Sequence, residues 1–221
     1  MTAPPPLKIP LLKGALVTVD STTQQTGVVA FQYNPSTLRR QLSPFTVGGQ
    51  EGDRSEEPRY AGAAAETISV QVQIDATDAL AQGDALATSS GIYAQLAALE
   101  LLIYPPTTQV IQNDALLSAG TLEVVPILAP RTLFIWGPSR VLPVRLMSYS
   151  ATEELFDQNL NPLRATVSLA MRVLTYSDVP TTSPDYHQFL VYQQSMEQIA
   201  QYARTSTADA KAVTGVDVSS L

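Results

Sequence analysis

Residues 67–75 read TISVQVQID, in which Ile68, Val70, Val72 and Ile74 alternate with Ser69, Gln71 and Gln73. A period of two over this length marks a strand with one buried face, because successive side chains of an extended chain point to opposite sides. The other face is polar and uncharged. The pattern returns at 165–173, where Ala165, Val167, Leu169, Met171 and Val173 alternate with Thr166, Ser168, Ala170 and Arg172. These two stretches set the expectation of long antiparallel hairpins.

Working outward, 15–20 and 28–33 read as an antiparallel pair around a polar loop. Asn34-Pro35 then turns the chain towards a short strand at 38–42. Residues 43–65, rich in Gly, Glu, Arg and Pro without a period, are expected to form a long exposed excursion, and such loops are often functional. Ser89 or Ser90 is expected to cap a helix running to about residue 104, with Ile92, Leu96, Leu99 and Ile103 along one stripe and Pro105 ending it. Between 107 and 129 the pattern is ambiguous, with Leu122, Val124 and Val125 as a candidate short strand.

Gly137-Pro138-Ser139 is a turn signal joining strands at 131–137 and 140–149, the second continuing to about Phe156. Ser183-Pro184 opens a C-terminal helix whose Phe189, Tyr192, Met196 and Ile199 make an apolar stripe opposite Gln194, Gln198 and Gln201. Residues 205–221 lack a period and are expected to be mobile. The fold class is therefore mainly β with flanking helices (α+β), one helix covering a sheet or barrel and another at the C-terminus. The division is 1–176 for the β domain, with its helix near 90–104, and 177–221 for the C-terminal helix and tail.

Hydrophobic residues make up 45% of the chain and charged residues 15%, enough apolar surface for a sizeable core. Such sparse charge also suits a surface buried against partners. The net charge of -7 repels a phosphate backbone, and Arg39-Arg40 is the single basic doublet, so nucleic acid is not an expected partner. The absence of cysteine removes disulfides, thiolate nucleophiles and cysteine metal sites. Residues 1–6 lack the layout of a signal peptide, and no apolar stretch approaches the roughly 20 residues of a membrane span. A soluble product made in the cytoplasm, without integral membrane association, is the expectation.

Chemistry-bearing patterns are sparse. His187 is the one histidine, and a solvated or interface histidine is the commoner reading than a general base. Asp75 with Asp78, and Glu153 with Glu154 and Asp157, are acidic strand ends without EF-hand spacing, ordinarily solvated turns. Trp136 and Tyr149 read as core aromatics. No phosphate loop, dinucleotide fingerprint or nucleophile elbow is present. No cofactor, no metal and no enzymatic activity are expected.

Phe31-Gln32-Tyr33-Asn34-Pro35 resembles the strand-then-Asn-Pro signature of the tube-type proteins of contractile injection systems. These are phage-tail-like particles such as antifeeding prophages and Photorhabdus virulence cassettes. Residues 66–78 resemble that family's next block, an alternating strand ending in acidic residues before a helix. Phe134, Trp136 and Gly137 resemble its Phe-x-Trp-Gly hairpin, and Tyr149, Phe156 and Pro162-Leu163-Arg164-Ala165 its long second hairpin. Leu160 departs from the family, which often has glycine in that turn. No LysM pattern, which the better-known baseplate members carry, follows Tyr176.

The resemblance implies a phage-tail-tube-like β-barrel or sandwich with long hairpins, one packed helix and a C-terminal helix, a hexameric ring, and hairpins lining a lumen. It further implies a baseplate adaptor or inner-tube initiator that links the spike-bearing hub to the first tube ring. The partners are then inner-tube, spike/hub and other baseplate proteins, with assembly in the cytoplasm into a particle that is released or anchored at the envelope. On this reading Ser69, Gln71, Gln73, Thr166, Ser168 and Arg172 are candidate lumen or subunit-interface residues. Arg54, Glu56, Glu57 and Arg59 are candidates for an inter-ring loop, and Phe189, Tyr192, Met196 and Ile199 for a docking helix. Three rivals stay open: an ordinary repeating tube subunit, a peptidoglycan- or glycan-binding envelope module, and a hydrolase using His187 or the 153–157 acids.

Overall fold

The computed structural model describes residues 12–19, 26–47, 59–120 and 130–203. Its strands are β1 (Ala15–Val19), β2 (Thr26–Ala30), β3 (Leu38–Ser43), β4 (Thr46–Val47), β5 (Arg59–Tyr60), β6 (Ala65–Asp75), β7 (Arg131–Ile135), β8 (Val141–Phe156) and β9 (Pro162–Val173). Seven of them form one sheet in the order β2-β1-β7-β8-β9-β6-β3, every neighbour antiparallel. Its outer strands β2 and β3 are not paired with each other, so among the described residues the sheet is not closed into a barrel.

The centre of the sheet is where the alternation was read. Ile68 pairs with Met171, Val70 with Leu169, Val72 with Val167 and Ile74 with Ala165, and all eight are buried. Burying each larger side chain of this set stabilises the fold by about 1.5–3 kcal/mol. A one-residue slip would turn them all to the opposite face, which fixes the register. β2 ends three residues before the 28–33 expectation because Phe31 drops into the core, its N–H on the Gly14 carbonyl at 2.8 Å. Gln32 next clamps the end of β6, its amide nitrogen donating to the Asp75 carbonyl at 2.8 Å and its oxygen accepting the Asp75 N–H at 2.7 Å.

The helix expected near 90–104 is shorter and is preceded by two further ones: after α1 (Thr77–Ala81) and α2 (Ala85–Ser90), α3 spans Tyr93–Glu100. Asp84 caps α2, accepting the Ala87 N–H at 2.9 Å. Ser89 and Ser90 are not caps: they close α2, with hydroxyls on the Leu86 carbonyl. Gly91 then breaks the run with φ 59 and ψ -129, which lets the Ile92 N–H reach the Pro162 carbonyl at 2.9 Å. Ile92, Leu96 and Leu99 are buried, whereas Ile103 lies beyond the end of α3 and is exposed. A further helix, α4 (Thr107–Ser118), occupies part of the ambiguous stretch and buries none of its residues. The candidate strand at Leu122, Val124 and Val125 lies outside the described residues.

Residues 43–65 are not wholly irregular, since β4 and β5 pair as a small separate hairpin. The last helix, α5 (Pro184–Ala203), lies against β8, and its first turn is tied down by the Arg131–Asp185 ion pair. The 205–221 tail lies outside the described residues.

One polar network joins three elements. Glu66 points to the buried side of β6 and is 4% exposed; Arg40 Nε on β3 meets its carboxylate at 2.6 Å, and Arg40 Nη2 donates to the Tyr192 hydroxyl of α5 at 2.9 Å. The bond to Glu66 raises the Arg40 pKa further, against the opposing effect of burial. Arg40→Met leaves the buried carboxylate without its cation. Because Arg40 keeps a quarter of its side chain in solvent, the expected loss is discounted to about 2 kcal/mol, a fall in Tm of roughly 4–8 °C. Glu66→Gln in the same chain is expected to recover part of it, and an unchanged Tm in the single variant would show that the pair does not hold the fold.

Candidate functional site

Opposite the core, β8, β9, β6 and β3 present one continuous polar face. Cross-strand register sets Ser150, Ser168 and Gln71 in one row, Thr152, Thr166 and Gln73 in the next, and Ser148, Ala170, Ser69 and Arg39 in a third. Directly opposed residues of an antiparallel pair share a face, so Ser69, Gln71, Gln73, Thr166, Ser168 and Arg172 lie on one face of the sheet. Sequence reading missed the share of β8. Arg145 opposes Arg172 and Ser148 opposes Ala170, with the register shifted between Leu146 and Ser148, so exposed Met147 is an extra residue that inverts the alternation. Past that bulge Ser148, Ser150 and Thr152 alternate plainly. A groove of about 360 Å³ runs along the face, lined in part by Thr37, Arg39, Ser69, Gln71, Ser148 and Ser168.

Apart from Arg39 in the row of Ser69, charge on this face stands at its two ends. At the hairpin end, Arg164 meets Asp75 at 2.6 Å beside exposed Glu154. Asp75 is held below the usual carboxylate range by Thr77, with Arg164 contributing. At the other end stand Arg145 and Arg172, the latter bonded to Asp178 at 2.7 Å. Burial works against ionised Asp178, but Thr175 and Arg172 outweigh it and keep its pKa low.

Two free edges flank the polar face. β3 pairs on one side only, with β6. β8 pairs with β7 over Val141–Val144 alone, so residues 145–156 are bonded to β9 on one side and to no strand among the described residues on the other. Unpaired backbone N–H and C=O groups along such edges are templates for another strand. No proline interrupts 145–156.

The remaining candidates divide. Arg59 sits exposed on β5, while Arg54, Glu56 and Glu57 lie outside the described residues. Phe189 and Tyr192 are not available for docking: both are buried, with Phe189 edge-on to Tyr176 at 5.8 Å and 6.1 Å from Tyr192. The half of the stripe left in solvent is Met196 and Ile199, with Tyr202 beside them.

The chemical candidates find ordinary surroundings. His187 is exposed with its ring edge-on to Tyr186. Asp157 spends its oxygens on the Asn159 and Asn161 N–H groups and the Asn161 amide, which lower its pKa. Asp78 accepts from the Tyr33 hydroxyl at 3.3 Å, which raises the pKa of that phenol. Trp136 stacks on Phe134 at 5.9 Å, and Tyr149 is packed against the core, its pKa pushed up to about 12 by burial first and then by Glu100. Among the described residues no group of three or more acidic or histidine side chains could hold a metal ion, and no helix is long and apolar enough to cross a membrane.

The family model described as contractile injection system tube protein matches residues 12–178 of this chain. No curated protein matches it in sequence. Among solved structures, one titled as the tail of an empty GTA particle with C6 symmetry aligns at 14% identity and a TM-score of 0.27, covering 72% of this chain and 90% of that one. The family match alone carries weight.

Proposed function

Because this chain belongs to the contractile injection system tube protein family, we propose that it is a ring-forming structural subunit of the inner tube of a phage-tail-like particle, without catalytic activity. The observation that carries this reading is the pair of free edges flanking the polar face. β8, β9, β6 and β3 alternate in direction. With an even number of strands, the β8 of a neighbouring copy placed beside β3 runs antiparallel to it while both copies stand the same way up. Head-to-tail contacts of this kind close into a ring when the rotation permits.

The polar face fits the inside of that ring. Four strands at about 4.8 Å spacing span roughly 19 Å, so six copies would give a circumference near 115 Å and a diameter of roughly 37 Å before strand tilt widens it. A barrel of that width is too broad for side chains to fill and holds water. Serine, threonine and glutamine solvate most of the wall without charge, and Arg39 is the cation within the rows they form.

The absence of native cysteine makes a labelling test clean. Ser168→Cys and Gln71→Cys are expected to react fully with a polymer-bearing maleimide in dissociated protein and to be protected in assembled rings, while Tyr202→Cys reacts in both. Complete labelling of the first two in intact rings would contradict an inward-facing wall.

For the axial place of the ring, the reading carried from the sequence is a baseplate adaptor or inner-tube initiator, with hub and spike proteins on one rim and tube subunits on the other. The second reading is a repeating tube subunit, both of whose rims meet the same chain; exposed Glu154 at one end of the polar face and exposed Arg145 at the other are compatible with it. A particle reconstruction counting one ring or many of this chain separates the two.

A further inference from the structure

α5 is bonded to both of the strands whose edges flank the polar face. Near its start Asp185 pairs with Arg131 of β7, and the Gln188 side-chain amide donates to the carbonyl of Val141, the first residue of β8, at 3.1 Å. One turn later the Tyr192 hydroxyl accepts from Arg40 Nη2 of β3 at 2.9 Å. In the sheet β9 and β6 stand between β8 and β3, so this part of the helix crosses obliquely behind the polar wall from one flank to the other. Phe189 and Tyr192 are buried, which holds the crossing segment against the sheet.

β3 has little else to hold it in place. None of its residues is buried, and only Leu38 and Arg40 are partly so. Apart from the ladder to β6, its tie to the rest of the protomer is Arg40, bonded at once to Glu66 at 2.6 Å and to Tyr192. A largely buried ion pair is a poor choice where stability alone is served, because apolar side chains of similar volume pack at least as well without removing charge from water. What the pair supplies is direction. Apolar contacts tolerate sliding, whereas hydrogen bonds linking Glu66, Arg40 and the Tyr192 hydroxyl fix distance and angle together.

A four-stranded wall needs such fixing if it is to build rings of one size. Adjacent strands are rotated by about 20–25° on average, over a range of roughly 10–35°. The three strand pairs from β8 to β3 therefore leave the relative orientation of the two edges open by tens of degrees. A closed ring turns through about 60° per copy with six members and about 51° with seven. A change of about 9° between the edges thus separates one ring size from the next, well inside the freedom of an unstrapped sheet.

We infer that α5 is a strap that sets the copy number of the ring. Gln188 on β8, and Tyr192 acting through Arg40 on β3, hold the two edges at one angle, and these three are positioning residues for closure. This deepens the ring reading given above and rests on it.

The test uses the purified full chain, with copy number read by native mass spectrometry and ring outline by negative-stain microscopy. Wild type is expected to give rings of one copy number. Tyr192→Phe removes the hydroxyl alone; its Tm is expected to fall by about 2–4 °C, while its rings spread over two or more copy numbers with open arcs among them. R40M/E66M/Y192F replaces the network by apolar contact and is expected to melt within about 4 °C of wild type or above it, yet to show the same spread. Ile74→Val, a core truncation near the other end of β6 from Glu66, is expected to lose a similar 2–4 °C or so and to keep the wild-type copy number, which separates a strap from general loosening. A single copy number in Tyr192→Phe or in the triple variant, or an equal spread in Ile74→Val, would overturn the inference and leave the ring reading standing. A wild type that forms no ring at all would remove the ring reading and the inference with it.

Discussion

Proline at Ser150 and proline at Ala151 are expected to fail in different ways. Both residues lie in the half of β8 bonded to β9 alone, Ser150 opposite Ser168 and Ala151 opposite Val167. Along an antiparallel strand the N–H groups alternate between the two sides, so one of these neighbours donates to β9 and the other to the free edge. Proline at the first removes a ladder bond within the protomer and costs about 2–3 kcal/mol, a fall in Tm of roughly 4–12 °C. Proline at the second is expected to leave Tm nearly unchanged and to convert rings into monomers, because the lost donor belongs to the pairing with the neighbour's β3. Sedimentation and thermal melting of the two variants separate the outcomes. Two variants that assemble like wild type would mean that this edge joins nothing.

The largest expected loss of stability is at Gly91. Its φ of 59 and ψ of -129 lie where a side chain is poorly tolerated, and a Cβ there would stand 2.1 Å from the Pro162 carbonyl oxygen. That carbonyl also accepts the Ile92 N–H, so the clash cannot relax without giving up the bond that docks the start of α3 on β9. Gly91→Ala combines backbone strain with loss of that contact and is expected to cost about 3–4 kcal/mol, seen as a lower denaturation midpoint at unchanged m-value. A variant within about 1 kcal/mol of wild type would show that the α2–α3 break can shift.

What the sequence displayed and what it hid follow from which residues the fold buries. β6 and β9 are legible because every second residue is buried and the intervening ones are polar, leaving a period of two without interruption. The start of α5 is legible from Ser183-Pro184 for a local reason, the fit of proline to a first helical position. α4 is not legible because it buries nothing: with Val110, Ile111, Leu116 and Leu117 all exposed, no packing partner imposes an apolar stripe at helical spacing. α1 and α2, at five and six residues, are shorter than the window over which helical periodicity emerges. Ser89 and Ser90 misled because the same hydroxyls that cap a helix start can bond back to a carbonyl in its last turn, here that of Leu86.

The polar wall was half legible for a related reason. Its β6 and β9 rows follow from unbroken alternation, whereas its β8 row is hidden by Met147, which puts Arg145 and Ser148 on the same face although they are three apart. The reassignment of Phe189 and Tyr192 to the core has a simple cause. An apolar stripe records that a helix face is covered, not whether the cover belongs to the same chain or another. Here the N-terminal half of the stripe meets β8 and Tyr176, and only Met196 and Ile199 remain for a partner.

A reconstruction by electron microscopy of the assembled protein, at a resolution that traces strands, tests the ring most directly. The expected result is a closed ring in which β3 of each copy is hydrogen-bonded to residues 145–156 of the next, with Gln71, Ser150 and Ser168 facing a central channel. A ring whose polar wall faces outward, or whose copies meet without joining those two edges, would contradict the account.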